Sequence, residues 1–160
     1  MTPNIYWPEI YRSPAIPLTL VCGPPAGGKT TLVKSRKKRG DVVIDLDQII
    51  EGLGNDPHTA SDEIRHEGLE ERNRRLAALA DERFAKHAWF VTSSATGSAR
   101  ERWARLLRSE EVILVLTPKD ECYRRISADP SRRTVRQLQC KLVDKWWKSY
   151  YPSKLDKVIQ

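Results

Sequence analysis

Eight consecutive residues, Gly23-Pro24-Pro25-Ala26-Gly27-Gly28-Lys29-Thr30, fit the pattern G-x-x-x-x-G-K-S/T. Glycine lets the backbone turn so that successive N–H groups face one point. A helix starting near Lys29 aims the positive end of its dipole at the same point. Such a ring of donors suits a polyphosphate. Lys29 has the reach for β- and γ-phosphate oxygens, and the Thr30 hydroxyl suits Mg²⁺. Gly23, Pro25, Ala26, Gly27, Gly28 and Thr31 complete the set expected around bound ATP.

The next chemically distinctive residues are Asp45 and Asp47, at the end of the apolar run Asp41 to Leu46. In a parallel sheet all carboxyl ends share one edge, so these carboxylates belong near the loop that follows the first strand. Asp47 is expected to act as general base toward an attacking hydroxyl, and Asp45 to support it or to hold Mg²⁺ through water. A competing reading makes Asp47 the N-cap of a helix from Gln48. The third and fourth strands end in Val91-Thr92-Ser93-Ser94 and Leu116-Thr117-Pro118. Neither supplies the strand-end acid that a motor or hydrolase uses to position water.

Five arginines, Arg124, Arg125, Arg132, Arg133 and Arg136, flank Asp129-Pro130. Arg132 and Arg133 are expected at the start of the last helix, where the dipole disfavours cations. A lid closing over a triphosphate would compensate for that placement. A solvated charged surface is the alternative.

These residues need a scaffold that alternates strands and helices. Ile16 to Cys22, Asp41 to Leu46, Ala88 to Ser93 and Glu111 to Leu116 read as strands, with Lys157 to Gln160 as a short fifth. Helices are expected over Thr30 to Lys38, Gln48 to Leu53, Ser61 to Lys86, Ala99 to Arg108, Thr117 to before Pro130, and Arg132 to Tyr150. In the long helix Leu76, Leu79, Ala80 and Phe84 form an apolar stripe. Glu70–Arg74 and Glu71–Arg75 are i,i+4 pairs there. Thr117 is expected as N-cap of its helix. Val135, Leu138, Leu142, Val143, Trp146 and Tyr150 should form the buried face of the last one. The alternation predicts an α/β fold, a three-layer sandwich around a mostly parallel sheet of four to five strands with an arginine-bearing lid. One domain over 1–160 is expected, with an irregular segment over 1–15.

Composition agrees with a packed globular chain: 39% hydrophobic and 31% charged over 160 residues. No run approaches a membrane helix, and Met1 to Pro17 lacks a basic-then-apolar leader pattern, so a cytoplasmic protein is expected. Cys22, Cys122 and Cys140 have no C-x-x-C spacing and read as reduced thiols, and no metal site among Cys and His is expected. The net charge of +7 allows a nucleic-acid partner or reflects the phosphates of a nucleotide.

The phosphate loop, the Val43-Ile44-Asp45-Leu46-Asp47 strand end, the Thr96…Arg100…Trp103 stretch and the Cys122…Arg125…Arg132 segment resemble the kinase domain of phage-type 5′-polynucleotide kinases. They also resemble the zeta-toxin and chloramphenicol-phosphotransferase groups of small P-loop kinases. The resemblance spans about Leu18 to Tyr151. It implies ATP, Mg²⁺ and a hydroxyl acceptor, with a nucleic-acid 5′ end in the polynucleotide branch. It places the general base on Asp47 and the lid arginines on Arg125 and Arg132. Two features depart from that branch: Ser93-Ser94-Ala95-Thr96 replaces an Asp-x-Asn-like pair, and Ile50 stands near the usual arginine after the base.

Three functions follow as expectations: a polynucleotide 5′-kinase, a small-molecule kinase, and an ATP-binding subunit of a phage or DNA-processing complex. Basic clusters at Lys34, Arg36, Lys37, Lys38 and Arg39, and at Arg65, Arg72, Arg74 and Arg75, favour the first. So do Trp146, Trp147, Tyr150 and Tyr151 among lysines, although Trp146 and Tyr150 lie on the apolar stripe and belong rather to the core, which leaves base stacking to Trp147 or Tyr151. An exposed basic groove leading to Asp47 would separate the first from the second.

Overall fold

The computed structural model describes residues 4–160. Five strands, β1 (Leu18–Cys22), β2 (Val42–Asp45), β3 (Ala88–Thr92), β4 (Glu111–Val115) and β5 (Asp156–Ile159), form one sheet in the order β2-β3-β1-β4-β5. Every pairing is parallel. Both faces of the sheet are covered, which is why LTLVC and AWFVT read as continuous apolar runs instead of alternating ones.

Alternate residues of each strand feed opposite cores. Leu18, Leu20, Cys22, Ile44, Phe90, Val112 and Leu114 pack with Leu76, Trp103, Leu107 and Trp146 on one face. Val21, Trp89, Val91, Ile113 and Val115 pack with Val33 on the other. Val33 belongs to α1 (Lys29–Arg36), while Trp103 and Leu107 belong to α4 (Gly97–Leu107). The helix after β1 thus lies on one face and the helix after the adjacent β3 on the other. A crevice opens between the carboxyl ends of these two strands, the topological switch point of such a sheet.

Several local expectations are corrected. Leu46 is already helical in α2 (Leu46–Gly52), and the N-cap is Asp45, whose carboxylate accepts from Asp47 N. Asp47 is therefore not the cap. The long helix α3 (Asp62–Ala78) closes in a 3₁₀ turn over Leu79–Asp81, so Glu82 to Lys86 are not helical and Phe84 is 94% exposed. Glu71 pairs with both Arg74 and Arg75, and Glu70 takes His66 instead. Gly68 sits inside α3 because α2 presses against it: a Cβ would lie 3.0 Å from Ile50 Cγ1 and 3.1 Å from Leu46 Cδ1.

Pro118, not Thr117, occupies the N-cap of α5 (Lys119–Ala128). The chain then makes a 3₁₀ turn over Pro130–Arg132, and α6 (Arg136–Ser149) starts later than expected, so Arg132 and Arg133 precede it. The apolar stripe of α6 is also shifted. Gln139, Val143 and Trp146 are buried, whereas Leu138 and Leu142 are exposed. No helix among the described residues is long and apolar enough to cross a membrane.

Candidate active site

The loop between β1 and α1 is shaped by steric demands on particular glycines. Gly28 has φ +93°, a left-handed conformation that a side chain would strain, and a Cβ there would approach an Arg125 guanidinium nitrogen to 2.7 Å. At Gly23 a Cβ would meet the Val115 carbonyl at 2.6 Å, so the loop can lie against the end of β4 only without a side chain. Ala26, with φ 57°, carries the other bend of the loop. The Thr117 hydroxyl donates to the Gly27 carbonyl at 2.7 Å and fixes the loop from the neighbouring strand end.

The Lys29 side chain lies across this loop, its ammonium donating to the Gly23 carbonyl at 2.7 Å and the Pro24 carbonyl at 3.1 Å. Burial pulls its pKa below the ordinary lysine value, against the opposing pull of Asp47, Cys22 and Asp45. Thr30 Oγ1 donates to Asp45 Oδ2 at 2.9 Å, and Asp45 Oδ1 accepts from Asp47 N at 3.0 Å. Burial, then the neighbouring Asp47 charge, raises the Asp45 carboxyl above the usual carboxylate range. Asp47 itself is exposed and lines the cleft. Cys22, beneath the loop, is a buried free thiol pushed up to about 12 by burial. That makes it a poor nucleophile.

The two arginines of the α5–α6 segment reach the cleft by different routes. Arg125 is held by the Glu121 carboxylate at 3.0 Å and extends to the Ala26 carbonyl at 3.5 Å. Hydrogen bonding from Arg124, supplemented by Arg125, holds Glu121 down at about 2. Arg132 bonds Asp129 at 3.1 Å and the Gln139 side-chain carbonyl. Gln139 Nε2 in turn lies 3.1 Å from His58 Nδ1, linking the far wall of the cleft to this segment.

The cleft encloses about 1090 Å³. That exceeds the upper end of about 1,000 Å³ for a typical small-ligand pocket, leaving room for a nucleotide and a second molecule. Pro25, Ala26, Gly27, Gly28, Lys29, Thr30 and Thr31 line one end. His58, Asp62 and Arg65 line the cleft as well, together with Leu138 and Leu142 of α6, the two sets joined by the Gln139–His58 bond. The sequence-predicted set is thus brought to one place, with Asp45 just beneath it. Thr117, Gln139 and His58 were not foreseen. Thr117 had a legible signal, since it follows a parallel strand and so reaches the same sheet edge. For Gln139 and His58 the sequence carries none.

Other expected contributors lie elsewhere. Arg72 is 3% exposed, donates to the Tyr6 carbonyl and sits over the Tyr6 and Trp103 rings, each 5.2 Å away. It is a core cation and offers nothing to a nucleic acid. Trp146 is buried and donates to the Ser93 carbonyl at 2.6 Å, and Trp147 is half-buried. Tyr151 alone of that group is well exposed. Arg100 is fully buried, bonded to both Asp156 oxygens and to the Ser94, Ala95 and Tyr151 carbonyls. It braces the loop after β3 and the start of β5.

The oxygens of Thr30 and Asp45, adjacent at the loop, are hard donors of the kind Mg²⁺ takes. The donor-lined loop beside them has the φ-positive Ala26 and Gly28 that a phosphate cradle requires. The residues present therefore fit a Mg²⁺–nucleotide. No cluster of three or more His, Cys, Asp or Glu groups able to hold a metal occurs among the described residues. A divalent cation here would share its coordination with phosphate oxygens.

Comparison with known proteins agrees with the architecture. The sequence model of the AAA domain family matches residues 18–149. No curated protein matches the chain. Among solved structures, TT1252 from Thermus thermophilus superposes with TM-score 0.55 at 18% identity, covering 91% of this chain and 89% of that one. Shikimate kinase from Acinetobacter baumannii, solved in complex with shikimate, gives TM-score 0.52 at 17% identity, covering 92% and 84%. The five-stranded parallel fold is that of P-loop NTPases and kinases.

Proposed function

The chain belongs to the AAA domain family, and on that premise we propose that it is an ATP-dependent phosphotransferase that moves the γ-phosphate of ATP to a hydroxyl acceptor. The observation that carries this reading is the division of labour between two carboxylates. Asp45 is committed to Thr30 and to the start of α2, while Asp47 stands open in the cleft. A free carboxylate opposite a phosphate loop can accept the proton of an incoming alcohol. The strand ends of β3 and β4 supply no acid, which counts against the reading as a water-activating ATPase subunit.

In this reading the loop N–H groups and Lys29 hold the triphosphate. Arg125 and Arg132 face charge developing on the transferring group, and Leu138 and Leu142 help to exclude water. Thr30, and Asp45 through water, would hold Mg²⁺, which neutralises charge on the β- and γ-phosphates when bound. Asp47 orients the acceptor hydroxyl and takes its proton.

The acceptor end of the cleft supports a compact molecule. Leu138 and Leu142 give it an apolar wall beside Arg65, and Arg132, the further cation linked to His58 through Gln139, is held by Asp129. A polynucleotide 5′-OH keeps the support of the net charge of +7 but loses Arg72 and Trp146, which are buried. The test is transfer of labelled γ-phosphate, with Mg²⁺, to a panel of nucleosides, sugars and aromatic alcohols beside a 5′-OH oligonucleotide. Labelling of a compact alcohol, lost in Asp47→Asn, is the expected result. Labelling of the oligonucleotide alone would overturn the compact acceptor, and no labelling with ATP still bound would overturn the kinase reading.

A further inference from the structure

Among the described residues, the longest run of cations without an ion pair lies outside the cleft. Five of the six residues 34–39 are Lys34, Arg36, Lys37, Lys38 and Arg39, all exposed. None of the ion pairs among the described residues involves them. The dipole at the C-terminus of α1 favours Lys34 and Arg36 but does nothing for the three cations beyond the helix.

Topology fixes where this run lies. α1 leaves the phosphate loop and runs back along the sheet for eight residues, about 12 Å at the rise of a helix. Its end meets the amino edge of the strands, where Val42 N donates to the His87 carbonyl at 3.0 Å and Val42, Ala88 and Leu18 stand in register. The nearest acid, Asp41, is occupied: its Oδ2 accepts from Lys38 N at 2.9 Å and from Trp89 Nε1 at 3.0 Å.

The loop entering β3 reaches the same edge. Glu82 Oε1 accepts from both Phe84 N and Ala85 N at 3.0 Å, which fixes a turn that holds the Phe84 ring 94% exposed. Lys86 follows, also exposed. A solvent-facing aromatic ring on the same sheet edge as a run of cations is the combination that suits single-stranded nucleic acid, by base stacking and phosphate contact. One phenyl ring and no apolar helix face make a membrane surface the poorer fit.

We propose that the amino edge of the sheet, formed by Lys34, Arg36 to Arg39, Phe84 and Lys86, is a docking surface for single-stranded nucleic acid, separate from the cleft. The strand bound there is a tether and not the phosphoryl acceptor. This surface stands independently of the kinase reading, because it is tested by binding alone.

The experiment is fluorescence anisotropy of a labelled oligothymidylate of about twelve nucleotides, a length within the usual site sizes, with the full chain across a salt series. Wild type should bind with a slope of log affinity against log salt of about −3.5, as expected for roughly five neutralised phosphates on a single strand. Lys37→Glu/Lys38→Glu/Arg39→Glu should lose affinity at least about tenfold, and Phe84→Ala about fivefold or more. The neutral triple variant Lys37→Gln/Lys38→Gln/Arg39→Gln should lose an intermediate amount, and all variants should bind Mg²⁺–ATP as wild type does. Saturating Mg²⁺–ATP should leave oligonucleotide affinity unchanged. The proposal is overturned if the triple variants bind like wild type, if Mg²⁺–ATP displaces the oligonucleotide, or if the chain binds phosphatidylserine vesicles and no oligonucleotide.

Discussion

The Thr30 hydroxyl donates to the Asp45 carboxylate across 2.9 Å, joining the first turn of α1 to the end of β2. With the Asp47 N–H bonded to the other Asp45 oxygen, that carboxylate has no role to spare for a substrate proton. In the proposed transfer that task falls to Asp47, two residues on and exposed.

Asp47→Asn should therefore lower phosphoryl transfer by about 10²–10⁴-fold, the usual worth of a positioned general base. ATP affinity, measured by calorimetry, should hold within a few-fold. Full transfer by this variant would remove Asp47 from the mechanism.

Asp45 predicts a dependence of stability on pH. Its folded-state carboxyl is raised, chiefly by burial, so its contribution favours folding at low pH and is lost as pH rises through the folded value. Asp45→Asn keeps its oxygen for the Asp47 N–H at the α2 cap, and its amide N–H can donate to Thr30 Oγ1 in place of the second oxygen, without the buried charge. Its melting temperature should exceed that of wild type at neutral pH, with the gap closing toward acid. Mg²⁺-dependent nucleotide affinity should fall in the same variant. A melting temperature below wild type at pH 7 would show that the charge is better compensated than its burial suggests.

Arg100 and Asp156 form a bidentate ion pair with both side chains almost wholly buried. Removing one partner strands the other, a loss of about 3–5 kcal/mol. Arg100→Met should lower urea-unfolding stability by that amount. Loss of under about 1 kcal/mol, the range of an exposed pair, would contradict this role.

Gln139 joins Arg132 to His58 across the cleft. Gln139→Leu keeps the bulk and breaks both bonds. Acceptor KM should rise by about tenfold, roughly the 1.4 kcal/mol of one well-made hydrogen bond, while the ATP dissociation constant moves less. Equal changes in both would place Gln139 in general stability instead of acceptor-side closure.

The strands and the phosphate loop are legible in the residues because both are local. An apolar run bounded by breakers is a strand wherever both its faces are covered, and the glycines of residues 23–28 answer to backbone sterics a few ångströms away. Positions where one distant neighbour changes the outcome are not legible in this way. Leu138 and Leu142 have helical spacing from Trp146, yet Gln139 and Val143 face inward and the leucines face the cleft. Arg72 looked like a surface charge until the Tyr6 and Trp103 rings closed over it.

By itself the sequence determined the phosphate loop, the alternation of strands and helices, and the presence of two acids after the second strand, since each depends on residues adjacent in the chain. Only the tertiary structure decided which acid is free, because that depends on Thr30 fifteen residues away. It also set Gln139 against His58 and carried the basic run to the edge opposite the cleft. Those outcomes follow from how parallel strands and their crossover helices stack, and no short stretch of residues encodes them.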